Sequence, residues 1–182
     1  MKKLVILIAA ITAFTLVSFT VITPHTDVYK VDTAASSMEW FAEKMSGKHN
    51  GTIKLAGGEI SNNHGNYTGI FEIDMSSIED KDMESPEYKA KLENHLKSAD
   101  FFNSAKYPHA KFAMTSVTPL AESKEGRTHA VKGMLTIKDK TNEITFEAAI
   151  KMEGGKIFAT GSAIVDRSKF DVKYGSKTFF AD

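Results

Sequence analysis

A mainly β domain, with antiparallel strands curled onto themselves and one covering helix, is the fold class that this sequence predicts. Three observations carry it. Apolar and polar residues alternate over several long stretches, most clearly from Glu143 to Glu153, and turn-forming pairs such as Gly57-Gly58 and Gly154-Gly155 punctuate them. A single stretch after Ser85 repeats its apolar residues at helical spacing. One helix cannot cover the apolar side of so many strands, so the economical arrangement is a sheet that covers itself.

Taken in order, Lys2-Lys3 precedes an apolar run from Leu4 to Ile22, which reads as a secretory signal or, uncleaved, as a membrane anchor over residues 1–26. Residues 27–182 then form one domain, exported to the periplasm or an equivalent extracytoplasmic space. Val28 to Asp32 and Ser36 to Met45 are predicted strands, and the second turns Met38, Trp40 and Ala42 to one face. Asn50 to Leu55 and Glu59 to Asn62 read as two strands of a hairpin closed at Gly57-Gly58. Tyr67 to Ile78 follows as a long strand, with Tyr67, Gly69, Phe71, Ile73 and Met75 on one side.

The acidic run Glu79 to Glu84 lacks the glycine and the closing glutamate of an EF-hand, so a solvated loop is expected there. Ser85 is placed to cap a helix, Pro86 opens it, and Tyr88, Leu92, Leu96 and Ala99 form its narrow apolar stripe. Asp100 to Phe112 is the corner that delivers this helix into the later strands. Pro108 lacks an N–H and stops helical continuation, while Phe101, Phe102 and Tyr107 crowd three rings into the bend. Ala110 to Val117, Thr128 to Lys138, Glu143 to Glu153 and Lys156 to Asp166 complete the strands, with a turn at Asp139 to Asn142.

Composition excludes several function classes. Setting Lys2 and Lys3 aside leaves 21 basic against 23 acidic residues, so no positive field exists to hold nucleic acid. Cysteine is absent, which removes disulfide frameworks, thiolate metal sites and a cysteine nucleophile. No Gly-x-Ser-x-Gly elbow or phosphate-cradling glycine loop occurs. The six histidines are scattered with no pair at ligand spacing, although His109 and His129 could be neighbours across a sheet. No metal site, no catalytic residue and no resident cofactor is therefore assigned.

Binding is the chemistry that remains. An inward face built from Trp40, Phe71, Ile73, Phe112 and Met114, continued by Leu135, Phe146 and Ile150, would accept a long apolar chain. The same residues would equally fill a solid core, and periodicity alone favours that. Arg167, just after the last long strand, is placed either for a structural ion pair or for a ligand head group.

Asp100-Phe101-Phe102 followed by Lys106-Tyr107-Pro108 resembles the signature of the YceI-like family of bacterial lipocalin-like proteins. Tyr29-Lys30-Val31-Asp32 with Ser37, Gly133 to Lys138, and Asp166-Arg167-Ser168-Lys169-Phe170 match in the same order. The resemblance implies a lipocalin-like antiparallel β-barrel and a long-chain isoprenoid-type lipid, a polyisoprenoid or an isoprenoid quinone, as the bound partner. Membrane contact would run only through the N-terminal segment, if uncleaved.

Two departures stand out. Histidines that many relatives carry on the first long strand are replaced here by Ala35-Ser36-Ser37 and Lys44-Met45. Relatives also continue past the Tyr174 to Phe180 region with a strand that helps to close the barrel. Missing that last strand, this chain is expected to be truncated, to be open along one edge, or to be completed by a second copy in a homodimer. An enzyme acting on an isoprenoid or metal-bound substrate, and a stress-linked interaction module with a solid barrel, are the rival readings.

Overall fold

The computed structural model describes residues 26–44 and 47–172. Its strands are β1 (Thr26–Lys30), β2 (Met38–Lys44), β3 (Gly47–Asn63), β4 (Asn66–Asp80), β5 (His109–Lys124), β6 (Arg127–Ile137), β7 (Lys140–Glu153) and β8 (Lys156–Gly161). A helix, α1 (Pro86–Lys97), separates β4 from β5, and a 3-10 turn, Arg167–Phe170, follows β8. All eight strands are antiparallel and belong to one sheet, ordered β1-β3-β4-β5-β6-β7-β8, with β2 also paired to β3. β1 and β2 share one edge of β3: Thr26 to Lys30 pair with Asn63 to Glu59, and Met38 to Lys44 with Ile53 to Gly47. The predicted mainly β fold with one helix is thus present, although β8 and the β1/β2 edge do not pair with each other among the described residues.

Local chemistry explains the connections. His64-Gly65, Glu125-Gly126 and Gly154-Gly155 all have positive φ at both positions, the backbone that a two-residue hairpin needs to match strand twist. Gly57-Gly58 does not turn the chain. Both residues lie within β3, where a register shift between Leu55 and Gly57 marks a bulge. A side chain at Gly58 would put its Cβ 2.7 Å from the carbonyl oxygen of Ile70, so here the pair of glycines serves close strand approach. The turn expected at Asp139 to Asn142 is tighter, at Lys138-Asp139, β5 runs on to Lys124, and β8 stops at Gly161.

α1 begins at Pro86 behind Ser85, whose side chain makes no capping bond; its carbonyl accepts the Lys89 N–H at 2.9 Å. None of its residues is fully buried, and Tyr88, placed in its apolar stripe, is 62% exposed. Leu96 packs on Met75, Ile78 and Ala110. The rest of the attachment is polar: Lys89 donates to Glu79 at 3.0 Å, and Glu93 accepts the Asp80 N–H at 2.9 Å. This helix is lashed to the end of β4 more than it is glued there.

The apolar core has three joined parts. Met75, Ile78 and Ala110 gather Trp40, Ile73, Leu96 and Phe102; Met114, Val131 and Ala148 gather Phe71, Phe112, Phe146 and Ile150; Leu135, Phe170 and Val172 gather Phe101, Phe102 and Phe112. The expected leader and the Tyr174 to Phe180 region lie outside the described residues.

Glu79 gives this attachment a pH signature. Hydrogen bonds from Lys81 and then Lys89 hold its carboxyl at about 2, against the ordinary 4.5. A carboxyl whose folded value is depressed contributes stability that is complete above the unfolded value and is lost as pH falls toward the folded one. Urea midpoints compared between about pH 6 and pH 3 should therefore fall less for Glu79→Gln than for the unaltered chain.

Candidate functional site

Strand register places the predicted lining residues on one face. Phe71 pairs with Phe112 across β4 and β5, Phe112 with Leu135 across β5 and β6, and Val131 with Phe146 across β6 and β7. The Phe71 and Phe112 rings stack at 6.3 Å between centroids, and Phe112 and Phe146 stand 5.7 Å apart although a whole strand separates them. Gly133 on that intervening strand makes the reach feasible. A Cβ there would lie 2.5 Å from the Phe112 ring and 2.5 Å from the Ala113 carbonyl oxygen, so the ring rests across bare backbone. Trp40 repeats the device at the neighbouring end, its ring lying against Gly51 while its Nε1–H donates to the Thr52 carbonyl at 3.2 Å.

Not all the predicted residues sit together. Phe71, Phe112, Phe146 and Ile150 are partly buried and share one cluster built on the buried Met114. Ile73 and Trp40 belong to the part beneath α1, and Leu135 is buried against Phe170 and Val172. That end of the apolar face is closed. Phe101 and Phe102 meet edge to face at 4.8 Å there, so the corner beginning at Asp100 plugs that end.

Arg167 serves the plug as well. Its Nη1 donates to the Val172 carbonyl at 2.8 Å, and its guanidinium stands 5.2 Å from the Phe101 ring centre. Asp166 caps the turn, accepting from the Ser168 N–H at 3.0 Å and the Ser168 hydroxyl at 2.7 Å, and these bonds lower its pKa. The motif around Arg167 is a latch that seats Phe170, which is 1% exposed.

An enclosed tunnel beside Trp40, Phe112 and Phe146 was the expectation. Among the described residues the two outer edges of the sheet do not pair with each other, so this face is an open trough with the Phe101–Phe102 corner at one end. Two depressions of about 290 and 230 Å³ lie on the opposite face, round Ile70.

The two histidines that could have met across a sheet do not. His109 opposes Asp74 at the start of β5, whereas His129 opposes Pro119 much further along. His49, Asp80 and Asp82 do converge. They are brought together by pairing between β3 and β4, for which the sequence holds no local signal. Asp80 is fully buried, so the acidic run is a solvated loop only in part.

The model of the YceI-like domain matches residues 29–182. This chain belongs to the YceI-like family. Protein YceI of Escherichia coli is 42% identical over 65 residues, which cover 36% of this chain and 31% of that protein. Its counterpart in Salmonella arizonae is 40% identical over the same shares. The aligned stretch thus spans about a third of the curated relatives. Among solved structures, BcnA of Burkholderia cenocepacia superposes with a TM-score of 0.63 and 22% identity, covering 78% of this chain and 84% of that one. The likeness to BcnA establishes the fold of this YceI-like domain.

The aromatic row depends on bare backbone at residue 133. Gly133→Val should lower stability by about 1–3 kcal/mol, read from urea unfolding, because neither the Phe112 ring nor the Ala113 carbonyl can withdraw without disturbing the sheet.

Proposed function

We propose that this chain is exported and that its domain binds a long-chain isoprenoid-type amphiphile, such as a polyisoprenoid, an isoprenoid quinone or a quinone precursor, without transforming it. One observation carries the reading. Phe71, Phe112 and Phe146 form a partly buried aromatic row across four strands, on a face that is stopped at one end. The family is one of polyisoprenoid-binding proteins, which makes an extended apolar chain the natural occupant.

The physical chemistry is undemanding. Each isoprene unit moved from water onto this face gains a few times the roughly 0.8 kcal/mol of a buried CH₂. Ring faces offer a long chain continuous contact with little side-chain entropy to lose. A polar head group would lie toward the open end, away from the Phe101–Phe102 plug. The charged leader and its apolar run, Lys2 to Ile22, support export, with membrane contact through that segment where it is retained.

Organic extraction and native mass spectrometry of the purified chain test this directly. The unaltered protein and Lys111→Gln, which alters only an outward residue paired to Glu72, should carry a polyprenyl species. Phe71→Ser, which leaves Phe112 in place over Gly133, should lose most of it while keeping its β-sheet circular dichroism. Equal retention by the two variants would sink an inner-face site.

A further inference from the structure

The stopped end of the sheet holds a polar cluster that the trough does not use. His49 comes from β3, Asp80 ends β4, and Asp82 lies two residues beyond, yet one ligand atom from each falls within 4.8 Å of the others. His49 Nδ1 is 3.4 Å from the Asp82 carboxylate and 4.0 Å from Asp80 Oδ2. Backbone fixes the frame: Gly51 pairs with Asp80, the Lys81 N–H donates to the Asn50 carbonyl at 2.9 Å, and Asp82 Oδ1 accepts the Asn50 N–H at 3.4 Å.

Asp80 is the odd member. It is completely buried, and its Oδ1 accepts the Met83 N–H at 2.8 Å. Its Oδ2, turned toward the imidazole, has no hydrogen-bond partner. An acceptor stranded in this way is costly, more so when it carries charge. A proton shared by the two acids would relieve this, but it would leave the imidazole without a purpose. A dication would satisfy all three groups and cancel both negative charges.

The donor set selects the kind of ion. One imidazole nitrogen with two carboxylates suits zinc and its first-row neighbours, whereas calcium requires six or more oxygens. Zinc bonds of ordinary length place tetrahedral ligands about 3.3 Å apart. The two separations from His49 Nδ1, 3.4 and 4.0 Å, reach that by contracting less than one ångström, and the two carboxylates lie within 4.8 Å of each other. We propose that His49, Asp80 and Asp82 bind one divalent first-row transition cation, of which zinc is the type, with a fourth position left for water. The ion would pin β3, the end of β4 and the approach to α1 to one another beside Trp40.

Isothermal titration of the untagged, chelator-stripped chain with zinc tests the site. One zinc per chain should bind with a dissociation constant in the micromolar range or tighter. His49→Ala and Asp82→Asn, both on partly exposed side chains, should each weaken binding at least tenfold while unfolding normally without metal. Zinc at about 100 times its dissociation constant should raise the unfolding temperature by about 5 °C. Asp80→Asn should raise the metal-free unfolding temperature and abolish the zinc response. Absence of uptake by the unaltered chain, or binding unchanged in His49→Ala and Asp82→Asn, would overturn the site. Stabilisation by Asp80→Asn without any zinc uptake would assign the cluster to a shared proton instead.

Discussion

The ring of Phe112 lies across the bare backbone of Gly133, and from there it touches two of the three apolar clusters. An antiparallel ladder supplies hydrogen bonds in plenty, but it does not decide how strongly neighbouring strands curl toward one another. Side chains on the inner face decide that. With glycine beneath it, Phe112 reaches Phe146 two strands away and holds Phe71 on its other side, so three strand-to-strand contacts rest on one residue's placement. Trp40 against Gly51 makes the same arrangement at the stopped end. Large rings set over glycines are thus the recurring means by which this sheet turns its apolar face inward.

Much of this was legible in the sequence, for reasons that also explain the failures. Alternation in β4 and β7 put Phe71, Ile73, Phe146 and Ile150 on one face, because one wetted side and one dry side leave a period of two. Gly57-Gly58 was misread because glycine pairs signal a hairpin and a bulge with the same residues, and only the strand partner distinguishes them. Helical spacing found α1 but overstated its grease. Tyr88 falls on the stripe yet faces water, since the helix is held by Lys89 and Glu93. The meeting of His49 with Asp80 and Asp82 depends on register between strands and leaves no trace in spacing. Arg167 was expected in an ion pair or at a ligand head group, and it is found donating to a backbone carbonyl and standing over an aromatic ring. Its partners, the Val172 carbonyl and the Phe101 ring, come from the fold and not from the motif.

The two faces of the sheet are sorted by chemistry. Outward positions carry cross-strand ion pairs, Lys111 with Glu72, Lys132 with Glu143 and Arg127 with Glu147. These exposed pairs add little stability, but they make that side a poor host for an apolar chain. Inward positions carry the aromatic row. Single exposed apolar residues such as Phe41 and Ile70 need no explanation, whereas a contiguous row of partly buried rings does.

Polar ties are sorted in the same way. Around the stopped end lie the Glu79–Lys89 and Asp80–Glu93 ties, the Arg167 latch on Val172, and the His49–Asp80–Asp82 cluster. Around Phe146 and Ile150, the face is held by apolar contact and by the Thr128 hydroxyl, which accepts the Ile150 N–H at 3.0 Å. A site for a long flexible chain gains from that division: a fixed floor sets the depth to which the chain inserts, and a more yielding opposite end admits it. A cation at the floor would strengthen the half of the domain that must not move. The aromatic row would remain free to adjust to its occupant.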